Sequence, residues 1–252
     1  MDNEILTKEP TIDQMTLESG TDILIKELNL ILNQPYLIDI AKMGQDKYLD
    51  ALATINFDRE QLIGDLTQEE VEKVSNFLWI MLLLKTKKEK QYNLVLFLQI
   101  IFKEYDIEID LENFWIILKN RNNEKNTVKI TDLNFNILKS YINYVCYSNK
   151  KNKSSYNTQS KVAERIAKKL EEGRNKINSM KNKDQKSVFC NAISSLADGL
   201  KLPLKTVYNE FTVYQFYNQL KRYQKHEEYE QLMRALLAGA KDIKLESWYE
   251  DL

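Results

Sequence analysis

Apolar residues recur along most of this chain at intervals of three and four, the spacing that lines one face of a helix. Val71, Val74, Phe77, Leu78, Met81 and Leu82 follow it. Thr67-Gln-Glu-Glu70 ahead of them has the form of a capping box, so a helix is predicted over about 68–86. A second apolar helix is predicted over about 90–104, and these two are the main core candidates. Earlier, Pro35 is placed to open a helix at its first position. Gly44 is placed to end it in the left-handed conformation. Gln45–Ile55 then reads as a second helix with Tyr48, Leu49 and Leu52 on one face, and Asp58 as the cap of a short turn ending at Gly64.

Alternation is confined to short pieces. Ile23 and Ile25, then Leu28, Leu30 and Ile31, leave a strand and a short helix both open. Ile107-Glu-Ile109 and Val128-Lys-Ile130 read as short strands. Each is followed by capping residues, Asp110 and then Thr131 or Asp132, and each cap is predicted to lead into an apolar helix, over 111–119 and 133–147. Near the C-terminus, Val188, Phe189, Ala192, Ile193 and Leu196 share a face of a helix over 187–197 that Gly199 ends. Pro203 starts a short helix over 204–209. Thr212 caps a long one carrying Val213, Phe216, Tyr217, Leu220 and Tyr223, with a break near Lys225, reaching 237; an aromatic tail follows over 245–252.

These elements predict a mainly α protein, or α+β with a few short strands, in two modules. Residues 1–20 read as a flexible N-terminus, 21–147 as an N-terminal helical or α+β domain, 148–158 as a basic linker and 159–252 as a C-terminal helical module. Composition agrees: Gly (6) and Pro (3) are scarce in 252 residues, which argues against the many tight turns of an all-β barrel.

The net charge of −1 hides a polarised distribution. Residues 148–186 hold 12 Lys or Arg and 4 Asp or Glu, a net of +8 that leaves −9 elsewhere. A basic helix predicted over 160–181 carries Arg165, Lys168, Lys169, Arg174 and Lys176 beside a narrow apolar stripe of Val162, Ile166, Leu170 and Ile177. It fits a solvated connector, a contact for an acidic protein surface, or a nucleic-acid contact, although no aromatic side chains interleave it for base stacking.

Candidate chemistry is thin. His226 is the sole histidine and reads as solvated. No metal-ligand spacing, phosphate loop or nucleophile elbow occurs, so no cofactor, no metal and no enzyme activity are expected. Cys146 and Cys190 read as buried, small apolar residues in a reducing compartment. No apolar run approaches the ~20 residues that span a bilayer, and the N-terminus lacks an apolar signal core, so no membrane partner is expected. The aromatic run is more informative. Tyr208, Phe211, Tyr214, Phe216, Tyr217 and Tyr223 fall within sixteen positions. Two readings fit: core edged by tyrosines, or a protein-binding surface.

The order AERIAKKLEEGRNKI (163–177), ISSLADG (193–199), TVYQFYNQLKRYQ (212–224) and LLAGAKDIKLESWYEDL (236–252) resembles tail assembly chaperones and uncharacterised tail proteins of phages of low-GC Gram-positive bacteria. The resemblance covers roughly 125–252, and PYLIDIAKMGQDKYLDAL (35–52) matches only loosely. It implies a non-enzymatic protein that binds the tape measure protein, or another tail protein, in the infected cell's cytoplasm. A homo-oligomer is compatible with it. The large N-terminal region departs from the shorter family members, which keeps open a structural tail, connector or baseplate role in the virion. A nucleic-acid-binding accessory role through 159–181 is the remaining alternative.

Overall fold

A computed structural model describes residues 10–59, 73–123, 126–148 and 185–239. Expectations for the capping box at 67–70, Val71, Gly64, the basic segment 159–181, the side chain of Val188 and the tail 245–252 lie outside the described residues. The described chain forms two compact units. The first takes the chain up to Tyr147 together with Lys205–Asn218; the second takes the described parts of 148–204 and 219–252. Lys205–Asn218, grouped above with the C-terminal module, thus packs with the N-terminal residues.

The first unit corrects the mainly α expectation, because two antiparallel sheets make it mixed α+β. After α1 (Gln14–Ser19), β1 (Ile23–Ile25) and β2 (Leu30–Leu32) form a hairpin, pairing Ile23 with Leu32 and Ile25 with Leu30. Asn29 takes a positive φ of 50° in the loop, a conformation Asn tolerates better than most residues. Ile23, Ile25, Leu30 and Leu32 are all buried on one face, which settles the mixed signal in favour of strands.

α2 (Leu37–Met43) starts two residues after Pro35, so the proline precedes the helix and its carbonyl accepts from Val213 N–H at 2.8 Å. Gly44 has φ 97° and ψ 130°, a positive φ but not the left-handed helical state, and leads directly into α3 (Gln45–Ile55). The bounds of α3 match the sequence reading, but its face is turned. Tyr48, Ala51, Thr54 and Ile55 are buried while Leu49 is exposed. α4 (Asn76–Thr86) is shorter than 68–86. Lys73–Ser75 is non-helical, and the Ser75 hydroxyl caps the start by accepting from Leu78 N–H at 3.2 Å. α5 (Lys88–Ile101) packs against α3.

The second sheet orders β3 (Tyr105–Asp110), β4 (Trp115–Asn120) and β5 (Thr127–Ile130) side by side, all antiparallel. β4 overturns the helix predicted over 111–119. Asp110 does accept two backbone N–H groups, from Glu112 and Asn113, each at 3.0 Å. These bonds close a hairpin turn, with Phe114 at φ 56°, rather than opening a helix. Tyr105, Ile116, Leu118 and Ile130 are buried on the inner face. The outer face carries the pairs Asp106–Arg121 and Glu108–Lys119, and Lys129 Nζ stands 3.9 Å from the centroid of the Trp115 ring. α6 (Phe135–Val145) starts later than predicted. Asn134 turns its side chain back, accepting from Thr131 N–H at 2.7 Å and donating to Lys129 O at 3.0 Å, and Leu133 is left exposed.

In the second unit, α7 (Gln185–Gly199) buries Ile193, Leu196 and Ala197. It ends in a paired turn: Leu202 N–H reaches Ala197 O at 2.9 Å, Lys201 N–H reaches Asp198 O at 3.0 Å, and Lys201 takes φ 55°. Gly199 is required for a different reason. A Cβ on it would stand 2.5 Å from the Tyr223 ring. α8 (Leu204–Glu210) follows Pro203 as predicted, and α9 (Val213–Leu237) runs without the break expected near Lys225.

Candidate functional site

The aromatic segment carries the strongest sequence signal, and its N-terminal part is locked into the first unit. Thr212 and Gln215 cap α9 reciprocally. Gln215 N–H donates to Thr212 Oγ1 at 3.2 Å, and Gln215 Oε1 accepts from Thr212 N–H at 2.8 Å. The Gln215 amide then donates to Glu18 O at 2.7 Å, so one side chain joins a helix start to the end of α1. Backbone bonds from Leu37 N–H to Phe211 O (3.0 Å) and from Val213 N–H to Pro35 O flank an antiparallel bridge between Tyr36 and Thr212. Val207, Val213 and Phe216 are fully buried.

Each of the six aromatic candidates can now be placed. Phe216 is core. Tyr214 and Tyr217 are half-buried against Tyr147, at 5.7 and 5.5 Å between ring centroids, the latter pair stacked at 13°. Tyr208 and Phe211 are half-buried in the same unit. Tyr223 belongs to the second unit and lies against Gly199. The structure therefore gathers Tyr214 and Tyr217 around Tyr147, a residue the sequence reading missed, with Phe216 packed beside Tyr217 at 4.9 Å. Tyr147 sits at φ 53°, a strained conformation for an aromatic residue, held by this packing. The five basic candidates, Arg165, Lys168, Lys169, Arg174 and Lys176, lie outside the described residues.

Beneath the aromatic cluster lie two further groups that the sequence did not flag as a set. The Tyr48 hydroxyl is buried and meets no partner at full hydrogen-bond geometry. The Cys146 thiol is close enough to couple to it. Burial pushes the thiol up to about 12, with the hydroxyl pulling weakly the other way. Burial, then the charge of a Cys146 thiolate, raises Tyr48 and Tyr217 as well. Such a thiol stays protonated and unreactive near neutrality. Cys190, expected to be buried, is exposed.

A groove of about 580 Å³ opens between α3 and the start of α5, lined by Lys47, Lys87, Lys88 and Lys90 with Asp46, Asp50 and Glu89. Burial alone would raise Asp50. Hydrogen bonds from Lys90 and Asn93 and the charges of Lys90 and Lys87 outweigh it and hold the carboxyl below its usual range. Four cations and three anions interleaved at one rim offer no field of a single sign. His226 is half-buried. Among the described residues no group of three or more His, Cys, Asp and Glu could hold a metal ion. No described helix is long and apolar enough to cross a membrane.

The distal part of α9 presents a different surface. At 3.6 residues per turn, Val213, Phe216, Tyr217, Leu220 and Tyr223 share an arc of about 120°. Tyr229, Leu232, Met233 and Leu236 share another of about 100°, on roughly the opposite side. The apolar stripe changes sides near His226, and no residue of 219–237 is buried. Leu237 is 83% exposed.

No curated protein and no solved structure matches the chain. Residues 181–252 are similar to a family described as the YomV second domain, a phage-associated name, and the match spans α7, α8 and α9.

Proposed function

We propose that this protein takes part in phage tail morphogenesis by binding an amphipathic helix of the tape measure protein, as a tail assembly chaperone. The observation that carries the reading is the second stripe of α9. Tyr229, Leu232, Met233 and Leu236 recur at i, i+3, i+4 and i+7, the anchor spacing by which an apolar helix face meets another helix. This stripe lies inside the segment similar to the phage-associated YomV second domain, which supports a phage setting. Long tape measure helices need their apolar faces covered before assembly, and a chaperone supplies such a cover without chemistry.

The test is co-expression with the protein encoded by the adjacent long tape measure gene, followed by size-exclusion chromatography and mass spectrometry of purified particles. Co-elution that is lost in Leu232→Asp/Leu236→Asp, with the protein absent from particles, supports the reading. A ring-like copy number in particles would make it a structural tail component instead. Failure to associate in both assays would sink the phage-tail reading, and binding to nucleic acid that weakens steeply with salt would replace it.

A further inference from the structure

The first unit is built from two stretches of chain far apart in sequence. It leaves at Ser148 and returns at Lys205. The returning stretch, Lys205–Asn218, occupies a seat of three kinds. Pro35 and Leu37 supply a backbone acceptor and donor to Val213 and Phe211. The end of α1 supplies Glu18, whose carbonyl accepts from Gln215 and whose carboxylate stands 3.5 Å from the Asn218 amide. Gly20, at φ 74°, leaves just enough room, since a Cβ there would stand 3.2 Å from both Gln215 and Thr212. Tyr147 closes the third side by stacking on Tyr217.

We infer that Lys205–Asn218 is a separable docking element, and that the seat formed by Glu18–Gly20, Pro35–Leu37 and Tyr147 binds it without needing the covalent connection through 148–204. The contacts are those by which separate chains recognise one another. A strand-like backbone bridge gives register, fully buried apolar anchors at Val207, Val213 and Phe216 give affinity, and the Gln215 amide, bonded through both its oxygen and its nitrogen, gives selectivity. The ligand class follows: a helix start with a Thr-x-x-Gln cap, an apolar residue five positions before the Thr, and Val, Phe and Tyr one, four and five positions after it. The inference stands apart from the proposed function, since the seat lies in the first unit and the second stripe of α9 does not.

The experiment uses the full chain with a specific protease site placed within 149–184. The protein is cleaved, and the pieces are run on size exclusion and native mass spectrometry at micromolar concentration. The expected result is a 1:1 complex of the two pieces. In Val213→Asp, co-elution should fall by more than about tenfold, because a carboxylate would be buried without a partner. If circular dichroism shows that Val213→Asp is unfolded before cleavage, Gln215→Ala takes its place. It removes the Gln215 side chain's half of the reciprocal α9 cap and the bond to Glu18, leaving the Thr212 cap in place, and should release the piece on dilution. Separation of folded wild-type pieces overturns the inference. So does co-elution that survives whichever of the two variants is used, since the pieces would then be held elsewhere.

Discussion

α9 crosses two regimes within one helix. Over Val213–Asn218 it buries Val213, Phe216 and Asn218 in the first unit, capped, bridged and stacked on three sides. Over 219–237 no residue is fully buried, and an apolar stripe just as regular, Tyr229, Leu232, Met233 and Leu236, is only half-buried. The same spacing therefore serves two ends. Periodicity states which face of a helix is apolar, and says nothing about what covers it. The stripe itself changes sides only near His226, several residues past the last buried position at Asn218, so the burial boundary is not written in the apolar pattern.

That contrast predicts very unequal responses to truncation. Phe216→Ala should be the most damaging change, destabilising the protein by about 3–5 kcal/mol in urea unfolding, because a fully buried ring leaves a cavity. Leu232→Ala, removing an apolar side chain of similar size from the other stripe, should lower stability by less than about 1 kcal/mol while weakening partner binding. Equal losses at the two sites would break the comparison.

Gly199→Ala sharpens it within the second unit. The new Cβ must displace the Tyr223 ring, a shift of about 1 kcal/mol that Gly199→Ala/Tyr223→Ala should relieve. A loss that persists in the double variant would place the strain in the backbone instead.

Asp50 offers a pH test confined to the first unit. Its carboxyl is held below the usual range, so its contribution is fully present above the unfolded value of ~3.9. That contribution is lost as pH falls through the lower folded value. The side chain is 29% exposed, so the effect should be modest. Asp50→Asn should flatten the stability profile below about pH 4; an unchanged slope would remove Asp50 from the account. Smallest of all, Tyr48→Phe removes a buried hydroxyl with no full partner and should be neutral or slightly stabilising in thermal melts.

What could be read in advance was local. Thr212 and Gln215 stand three apart, so their reciprocal cap needs no distant partner. The bounds of α3 and the start of α8 follow from short-range spacing and from Pro203, whereas α5 ends at Ile101, short of the expected 104. The helix predicted over 111–119 failed because Asp110 accepts the same two N–H groups in a helix cap and in a hairpin turn. Trp115-Ile-Ile-Leu118, apolar without a break, has no period to decide between them. Tyr48 and Ile55 rather than Leu49 face inward on α3 because α5 lies on that side, a tertiary fact. Tyr147 was invisible for the same reason, since the rings it meets come from Tyr214 and Tyr217, far along the chain.

The contrast between the two cysteines also makes the molecule its own stopwatch. Cys190 is open to solvent, whereas Cys146 is sealed and kept protonated beside Tyr48. Under a thiol reagent at neutral pH, the first label marks time zero, and the second arrives only when the first unit opens. The interval between them clocks that opening in the native chain, with no engineered residue.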